Sequence, residues 1–443
     1  MESLRSRVAG AASRTLEALV RGGFEAAVRV TARASLMIKL ARGEVSVTQS
    51  WLDLETDAYV ARDGRMAVYS SRAPEPWAEI AGALRGFEAL EKSPLYAPLP
   101  EPTGKPVSSV DGRVAEAALT GDAGFVVEDL ELDQIGDAAG MVLLEYWATA
   151  LQTSTGADLA YEGTRFNGYV RVFRGIASSG QWSWTSTRYD LAAAKRAIGQ
   201  AKELAAECSR LPRVRVEPGE YRVLLGPMVV GNLAEIVASS ASAGAILFGF
   251  SFLSSKKPGD RVASEKLTLE DRPLDTGLPA FRGFDDEGVA TRDKAIIRRG
   301  VLETILHNTK TARAMGGETT GNAGWIMPSP FNIHVGPGTL RPDEMLEALG
   351  DGIYVSNNWY TRFQNYVEGE FSTVSRDAVF LVRGGRPVGC LDRIRIADVL
   401  PRLMSSVEDL SAERWPIQWW EVDRPVLAPF ALLGSARVSV AEV

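Results

Sequence analysis

Two histidines, His307 and His334, and two cysteines, Cys208 and Cys390, are the chain's whole stock of imidazole and thiol groups. A zinc hydrolase needs three or four imidazole, thiolate or carboxylate ligands at a legible spacing. Neither histidine lies on a helical pattern with a second ligand. His334 sits in the alternating run Phe331-Asn332-Ile333-His334-Val335, and His307 follows the strand-like Thr304-Ile305-Leu306. A structural or surface imidazole is the plainer reading of each, and no dedicated zinc site is expected. A Ser-His-Asp arrangement would leave a Gly-x-Ser-x-Gly elbow, and none is present. Cys208 ends a helical pattern and Cys390 lies in the strand-like Pro387-Val388-Gly389-Cys390-Leu391, so both read as buried, unpaired, small apolar residues.

Other chemistry-bearing stretches are weaker. Gly316-Gly317-Glu318-Thr319-Thr320-Gly321-Asn322-Ala323-Gly324 has glycines but no Lys-Ser/Thr ending, so it is no phosphate cradle of the Walker type. Phe284-Asp285-Asp286-Glu287-Gly288 clusters carboxylates that could hold a hard cation, but without EF-hand order; a solvated turn is the simpler expectation. The tail carries Trp415, Trp419 and Trp420, and upstream the run Ser356-Asn357-Asn358-Trp359-Tyr360-Thr361-Arg362-Phe363 mixes amides with aromatics. Core packing accounts for much of this. Asn358, Trp359, Tyr360 and Phe363 are nevertheless candidate peptide or interface contacts, because such mixtures suit recognition of backbone amides.

The elements that must position these groups follow from composition and pattern. The 443 residues are 45% hydrophobic and 24% charged, as in globular domains, and suffice for two or three of them. A net charge of -7 and no basic run exclude nucleic acid as the main partner. The N-terminus shows no apolar run of signal-peptide length, and two distant cysteines suggest no disulfide framework, so the cytoplasm is the expected compartment. Ile236 to Leu253 is uncharged and long enough to span a bilayer. Its serines and glycines favour a buried helix running into a buried strand, and no membrane partner is expected.

Helical periodicity covers Leu4–Val20, Pro76–Leu90, Asp133–Leu151, Leu191–Cys208, Val229–Ala241, Pro342–Leu349 and a stretch near Ile396–Ser406. Alternation marks strands at Glu25–Ala32, Ser35–Ala41, Glu44–Leu54, Gln181–Thr187 and Tyr221–Leu225, with tight turns at Arg42-Gly43 and Asp63-Gly64. Leu159–Phe166 and Tyr169–Gly175 read as a hairpin around Asn167-Gly168. Five prolines between Ser93 and Ser109 mark a surface crossing. The fold class is α+β, with antiparallel sheets. The expected units are 1–92 (α+β), 93–215 (α+β, able to pack with the first as one domain) and 216–443 (mainly β with a few helices).

Four stretches in this order resemble the TldD/PmbA, or modulator of gyrase, family. They are the helix–Gly–strand meander from Gly23 to Ser50, the strand Val223-Leu224-Leu225 ending in Gly226-Pro227, the segment from Phe284 through Ile297–Leu302 to Gly321–Gly324, and Gly352–Val355 with Gly369–Ser372. In the catalytic TldD half, the resemblance implies a His-Glu-x-x-x-His helix after the Gly-Pro strand and a late cysteine that completes a zinc site. Here the two histidine positions fall on Glu235 and Ser240, and the glutamate position on Ile236. No cysteine follows Cys390, and Trp420-Glu421-Val422-Asp423-Arg424-Pro425 occupies the region of the last ligand. These departures resemble the TldE/PmbA half.

The resemblance implies a subunit with no catalytic residue and no metal or cofactor of its own. Its partner would be a TldD-like zinc chain, in a heterodimer that cuts unfolded or small peptides. Two alternatives stand beside it: a stand-alone hydrolase using His307 or Asp285/Asp286/Glu287, and a homodimeric peptide-binding protein.

Overall fold

The computed structural model describes residues 3–73, 76–175 and 177–440. It opens with α1 (Leu4–Arg21), then β1 (Glu25–Ala41), β2 (Glu44–Arg62), β3 (Arg65–Ser71) and α2 (Trp77–Leu84). After the proline-rich crossing come α3 (Gly112–Thr120), α4 (Gly124–Asp129), β4 (Ala138–Thr153), β5 (Asp158–Arg174), β6 (Ser178–Ser186) and α5 (Leu191–Arg210). The six strands form one antiparallel sheet in the order β3-β2-β1-β4-β5-β6, so residues on both sides of position 92 share a sheet. At Arg42-Gly43 and Asp63-Gly64 both turn residues have positive φ, the type I′ geometry that matches strand twist.

The second half contains β7 (Arg213–Val214), β8 (Gly219–Leu225), α6 (Pro227–Ser240), α7 (Ala243–Leu247), β9 (Leu269–Asp271), β10 (Lys294–Arg298), β11 (Val301–Leu302), α8 (Thr309–Met315), β12 (Ile333–Val335) and α9 (Pro342–Leu349). It closes with β13 (Gly352–Asn365), β14 (Glu370–Arg383), β15 (Arg386–Leu391), β16 (Ile394–Val399), α10 (Leu400–Ser405), β17 (Val407–Trp419) and β18 (Val422–Val440). Strands β7 to β18 build a twelve-stranded, mainly antiparallel sheet. The architecture is α+β, as expected. The two sheets share a core: Trp182 of β6 packs on Trp415 of β17 and Phe430 of β18, at ring distances of 5.0 and 6.2 Å.

Four local expectations need correction. The helix read at Asp133–Leu151 is the strand β4, after a single 3-10 turn at Leu132–Gln134. It is a central strand paired with β1 on one edge and β5 on the other, and this pairing overrides its helix propensity. Asn167-Gly168 is no turn; β5 runs straight through it. Asn167 donates to the carbonyls of Trp184 and Gln418 at 2.9 and 3.0 Å, and a Cβ at Gly168 would lie 2.3 Å from the Trp184 ring. The uncharged stretch continues from α6 into the short α7 rather than a strand, and no helix of the described residues is long and apolar enough to cross a membrane. The Ile396–Ser406 stretch splits into strand β16 and helix α10.

The cysteines are the fifth correction. Cys208 and Cys390 form a disulfide with Cα atoms 5.2 Å apart, although 182 residues separate them in sequence. The chain leaving α5 pairs β7 with β15, so Arg213 lies beside Cys390 and the Cys390 N–H donates to the Pro212 carbonyl. Both residues are buried, on a helix and a strand as the pattern suggested. Only a parallel strand pairing brings them together.

Candidate functional site

Helix α6 starts at Pro227, which suits the first helical position because its missing N–H has no partner to lose. Its buried stripe, including Val229, Val230, Ala234, Val237 and Ala238, enters the main core. The other side carries Asn232 and Glu235 toward the turn between β17 and β18. The structure therefore brings the degenerate motif helix and the tail turn Trp420–Arg424 together. The Glu235 carboxylate accepts the backbone N–H groups of Asp423 and Arg424 at 2.9 and 3.0 Å, and the Arg424 guanidinium stands 3.6 Å away. Burial pushes the Glu235 carboxyl up to about 7 against the opposing pull of these donors.

Around that clamp Asn232 and Ser240 are also engaged, while the buried Asn358 Oδ1 has no partner. Asn232 donates to the Glu421 carbonyl at 2.7 Å, and its oxygen accepts from Asn358 at 2.9 Å and Thr361 at 2.8 Å. Ser240 donates to the Ile236 carbonyl one turn back at 2.9 Å. Ile236 is aliphatic and packs against the core. The donor set does not fit Zn²⁺: one carboxylate is already spent on two backbone N–H groups, one hydroxyl is turned into its own helix, and no imidazole or thiolate stands near. Among the described residues no group of three His, Cys, Asp or Glu side chains could hold a metal ion.

The aromatic candidates on β13 divide. Asn358 is fully buried, and its amide reaches Asn232, Thr361 and Thr373, so it braces the strand and does not present a surface. Trp359 is half-buried and packs on Trp420 at 6.4 Å, with the Arg376 guanidinium 5.3 Å from its ring. Tyr360 is exposed at a φ of 58°, and its N–H donates to the Glu421 carboxylate at 3.0 Å. Phe363 belongs to a different group, stacked on Tyr366 at 5.0 Å. Thus Asn358, Trp359 and Tyr360 adjoin the α6–tail junction.

The family model of the PmbA/TldA metallopeptidase C-terminal domain matches residues 218–439, half of the chain. The chain belongs to the PmbA/TldD family. A metalloprotease of Methanothermobacter thermautotrophicus is 32% identical over 143 residues, which is 31% of either chain. Metalloprotease PmbA of Escherichia coli O157:H7 is 28% identical over 262 residues, 52% of this chain and 57% of that one. The matched stretches therefore span about a third to somewhat over half of these curated relatives. Crystal structures extend the likeness to the whole fold. TldE from Thermococcus kodakarensis superposes with a TM-score of 0.81 at 19% identity, covering 96% of this chain and 100% of that one. A proposed modulator of a DNA gyrase from Thermotoga maritima gives 0.79 at 20% identity, covering 97% and 99%.

In this PmbA/TldD chain the other sequence candidates contact the chain itself. The acidic turn is buried, not solvated as expected. Asp285 accepts the N–H groups of Glu287, Val289 and Ala323, and burial beside Glu287 pushes it up to about 8. Asp286 accepts from Arg29 and Arg282, and Glu287 pairs with buried Lys310. His334 is buried with Nε2 3.0 Å from Asp275, and His307 contacts Thr311. Sequence reading missed a cavity of about 360 Å³ walled by Arg29, Arg33, Arg165, Arg282 and Arg424. Its only early trace is the stripe Arg29-x-Thr31-x-Arg33-x-Ser35, which looks like a solvent face until a second layer covers it.

Proposed function

We propose that this chain is a non-catalytic, TldE/PmbA-like subunit of a zinc metallopeptidase complex that degrades or processes unfolded or small peptides. The observation that carries the reading is the α6–tail junction, where Glu235, Ile236 and Ser240 stand at the motif positions and are engaged with the chain itself. Hydrolysis needs a metal-bound water and a general base, and these groups supply neither. The zinc would come from a TldD-like partner in a heterodimer. The likeness of fold to TldE from Thermococcus kodakarensis supports the same assignment. Exposed Tyr360 and half-buried Trp359, with Phe363 further along β13, are the proposed peptide or interface contacts. The engaged carboxylates of Asp285, Asp286 and Glu287 speak against a stand-alone hydrolase built on them.

In domain terms, the peptidase-family unit is proposed to be 216–443, with 1–92 and 93–215 as the supporting part. The proposed compartment is the cytoplasm. The Cys208–Cys390 bond removes free thiols as a reason for it, and thiol trapping in a whole-cell lysate tests that bond. The deciding experiment is elemental analysis for zinc on the chain purified alone, with peptide cleavage assayed on the same sample. No bound zinc, and cleavage only after a TldD-like chain is added, is the expected result. Near-stoichiometric zinc with cleavage by the chain alone would overturn the proposal.

A further inference from the structure

The arginine cavity lies on the face of the first sheet opposite α1. Along β1, Arg29, Thr31, Arg33 and Ser35 share that face, while Val28, Val30 and Ala32 point to the apolar core on the other side. On neighbouring β4, Ser35 faces Glu145, Arg33 faces Trp147 and Thr31 faces Thr149. On β5, Arg165 faces Glu145 and Gly163 faces Trp147. A Cβ at Gly163 would lie 2.3 Å from the indole, so glycine there lets Trp147 lie flat on the sheet. Residues 279–282 and 323–331 of the second half roof this face.

A roofed sheet face is ordinarily apolar; here it is built from guanidinium, hydroxyl and carboxylate groups around open space. Arg33 and Arg165 share one carboxylate, Glu145, at 3.1 and 2.8 Å, so this trio carries a net charge of +1. Both guanidiniums flank the Trp147 ring, at 5.6 and 6.0 Å from its centroid. Arg33, Arg165 and Arg282 each place one nitrogen on a carboxylate, and no other side chain among the described residues takes their remaining N–H groups. The Arg165 Nε is buried without a partner. Arg424 adds a guanidinium that holds the Pro330 carbonyl at 2.8 Å. The free carboxylate of the wall, Glu55, lies on the exposed rim.

Buried donors without acceptors are costly, and native structures normally satisfy them. The volume of about 360 Å³ far exceeds the ~10–15 Å³ that one water needs and lies within the usual ~300–1,000 Å³ of ligand sites. Arginine forks match the planar, two-oxygen geometry of a carboxylate or phosphate. We infer that the cavity is a binding site for a ligand with an oxyanion head, carboxylate or phosphate, held by Arg33, Arg165 and Arg282. The site lies in this chain alone and does not depend on which chain of a complex holds the metal.

Titration calorimetry of the full chain with N-acetyl-phenylalanine, its carboxamide and inorganic phosphate tests the inference. Saturable binding of the acid, with the carboxamide weaker by about tenfold or more, is expected if the head is a carboxylate. Binding of phosphate but not of the acid would assign the site to a phosphate head. Arg165→Gln and Arg33→Gln should each weaken binding by about tenfold. Arg33→Gln leaves the Arg165–Glu145 pair intact, so it reads the site even if Arg165→Gln fails to fold. No saturation by any of the three probes at roughly 10 mM, equal binding of acid and carboxamide, or unchanged affinity in a folded Arg33→Gln variant would each overturn the inference.

Discussion

The α6–tail junction and the arginine cavity are both lined by polar groups, and Arg424 touches both. They differ in how completely those groups are used. At the junction, the Glu235 carboxylate, the Asn232 amide and the Ser240 hydroxyl all have partners within 3.0 Å inside the chain. In the cavity, Arg33, Arg165 and Arg282 each spend one nitrogen on a carboxylate and, among the described residues, have no second side-chain acceptor. A saturated polar network fixes a turn and adds stability; an unsaturated one has capacity for something else. Residue type alone does not separate the two, since arginine and glutamate occur in both.

The sharpest way to break this contrast is through the buried ion pair beside the cavity. Glu287→Ala would leave Lys310, 2% exposed, without its counter-charge. Denaturant unfolding should show a loss of about 3–5 kcal/mol, and a loss below 1 would mean that the acidic turn is not a saturated network. Next in size is Asn232→Ala, which removes the bonds to Glu421, Asn358 and Thr361. A loss of about 1–3 kcal/mol is expected, and unchanged stability would show that the junction does not fix the tail turn.

Glu235 gives a smaller, pH-dependent effect. Its folded pKa is raised from 4.5 to about 7, so the folded state holds this proton more tightly than the unfolded chain does. The contribution is fully present below pH 4.5 and is lost as pH rises to about 7. Asp285 is raised to about 8 and acts in the same direction over an overlapping window. Glu235→Gln should therefore flatten part of the fall in stability between pH 4.5 and 7 and leave the Asp285 part. An identical pH profile in the variant would remove Glu235 as a buried titrating group. The smallest stability change is expected for Arg33→Gln, at about 1 kcal/mol or less because Arg33 is 35% exposed. A much larger loss would place the arginine wall with the saturated networks.

Several parts of the fold were legible in residue pattern. The α1 helix, the type I′ turns at Arg42-Gly43 and Asp63-Gly64, α5, and the Gly-Pro entry to α6 all rest on local rules: periodicity, turn residues and capping. Local rules fail at β4, where a central strand paired on both edges carries a helix-like pattern, and at Asn167-Gly168, where a turn dipeptide sits inside a long strand. In both cases the neighbouring strand decided. Asn167 finds its partners on Trp184 and Gln418, and Gly168 is required by the Trp184 ring.

By itself, then, the sequence determined the α+β class, the family motifs and the absence of imidazole and thiolate from the motif helix, because these depend on which residues are present and in what order. Only the tertiary structure decided that Cys208 meets Cys390, that Glu235 clamps the backbone at Asp423 and Arg424, that the acidic turn is buried against Arg29, Arg282 and Lys310, and that an arginine-bearing strand face is roofed into a cavity. Each of these needs two segments far apart in sequence to meet. Sheet pairing across the chain fixes such meetings, and no local pattern records them.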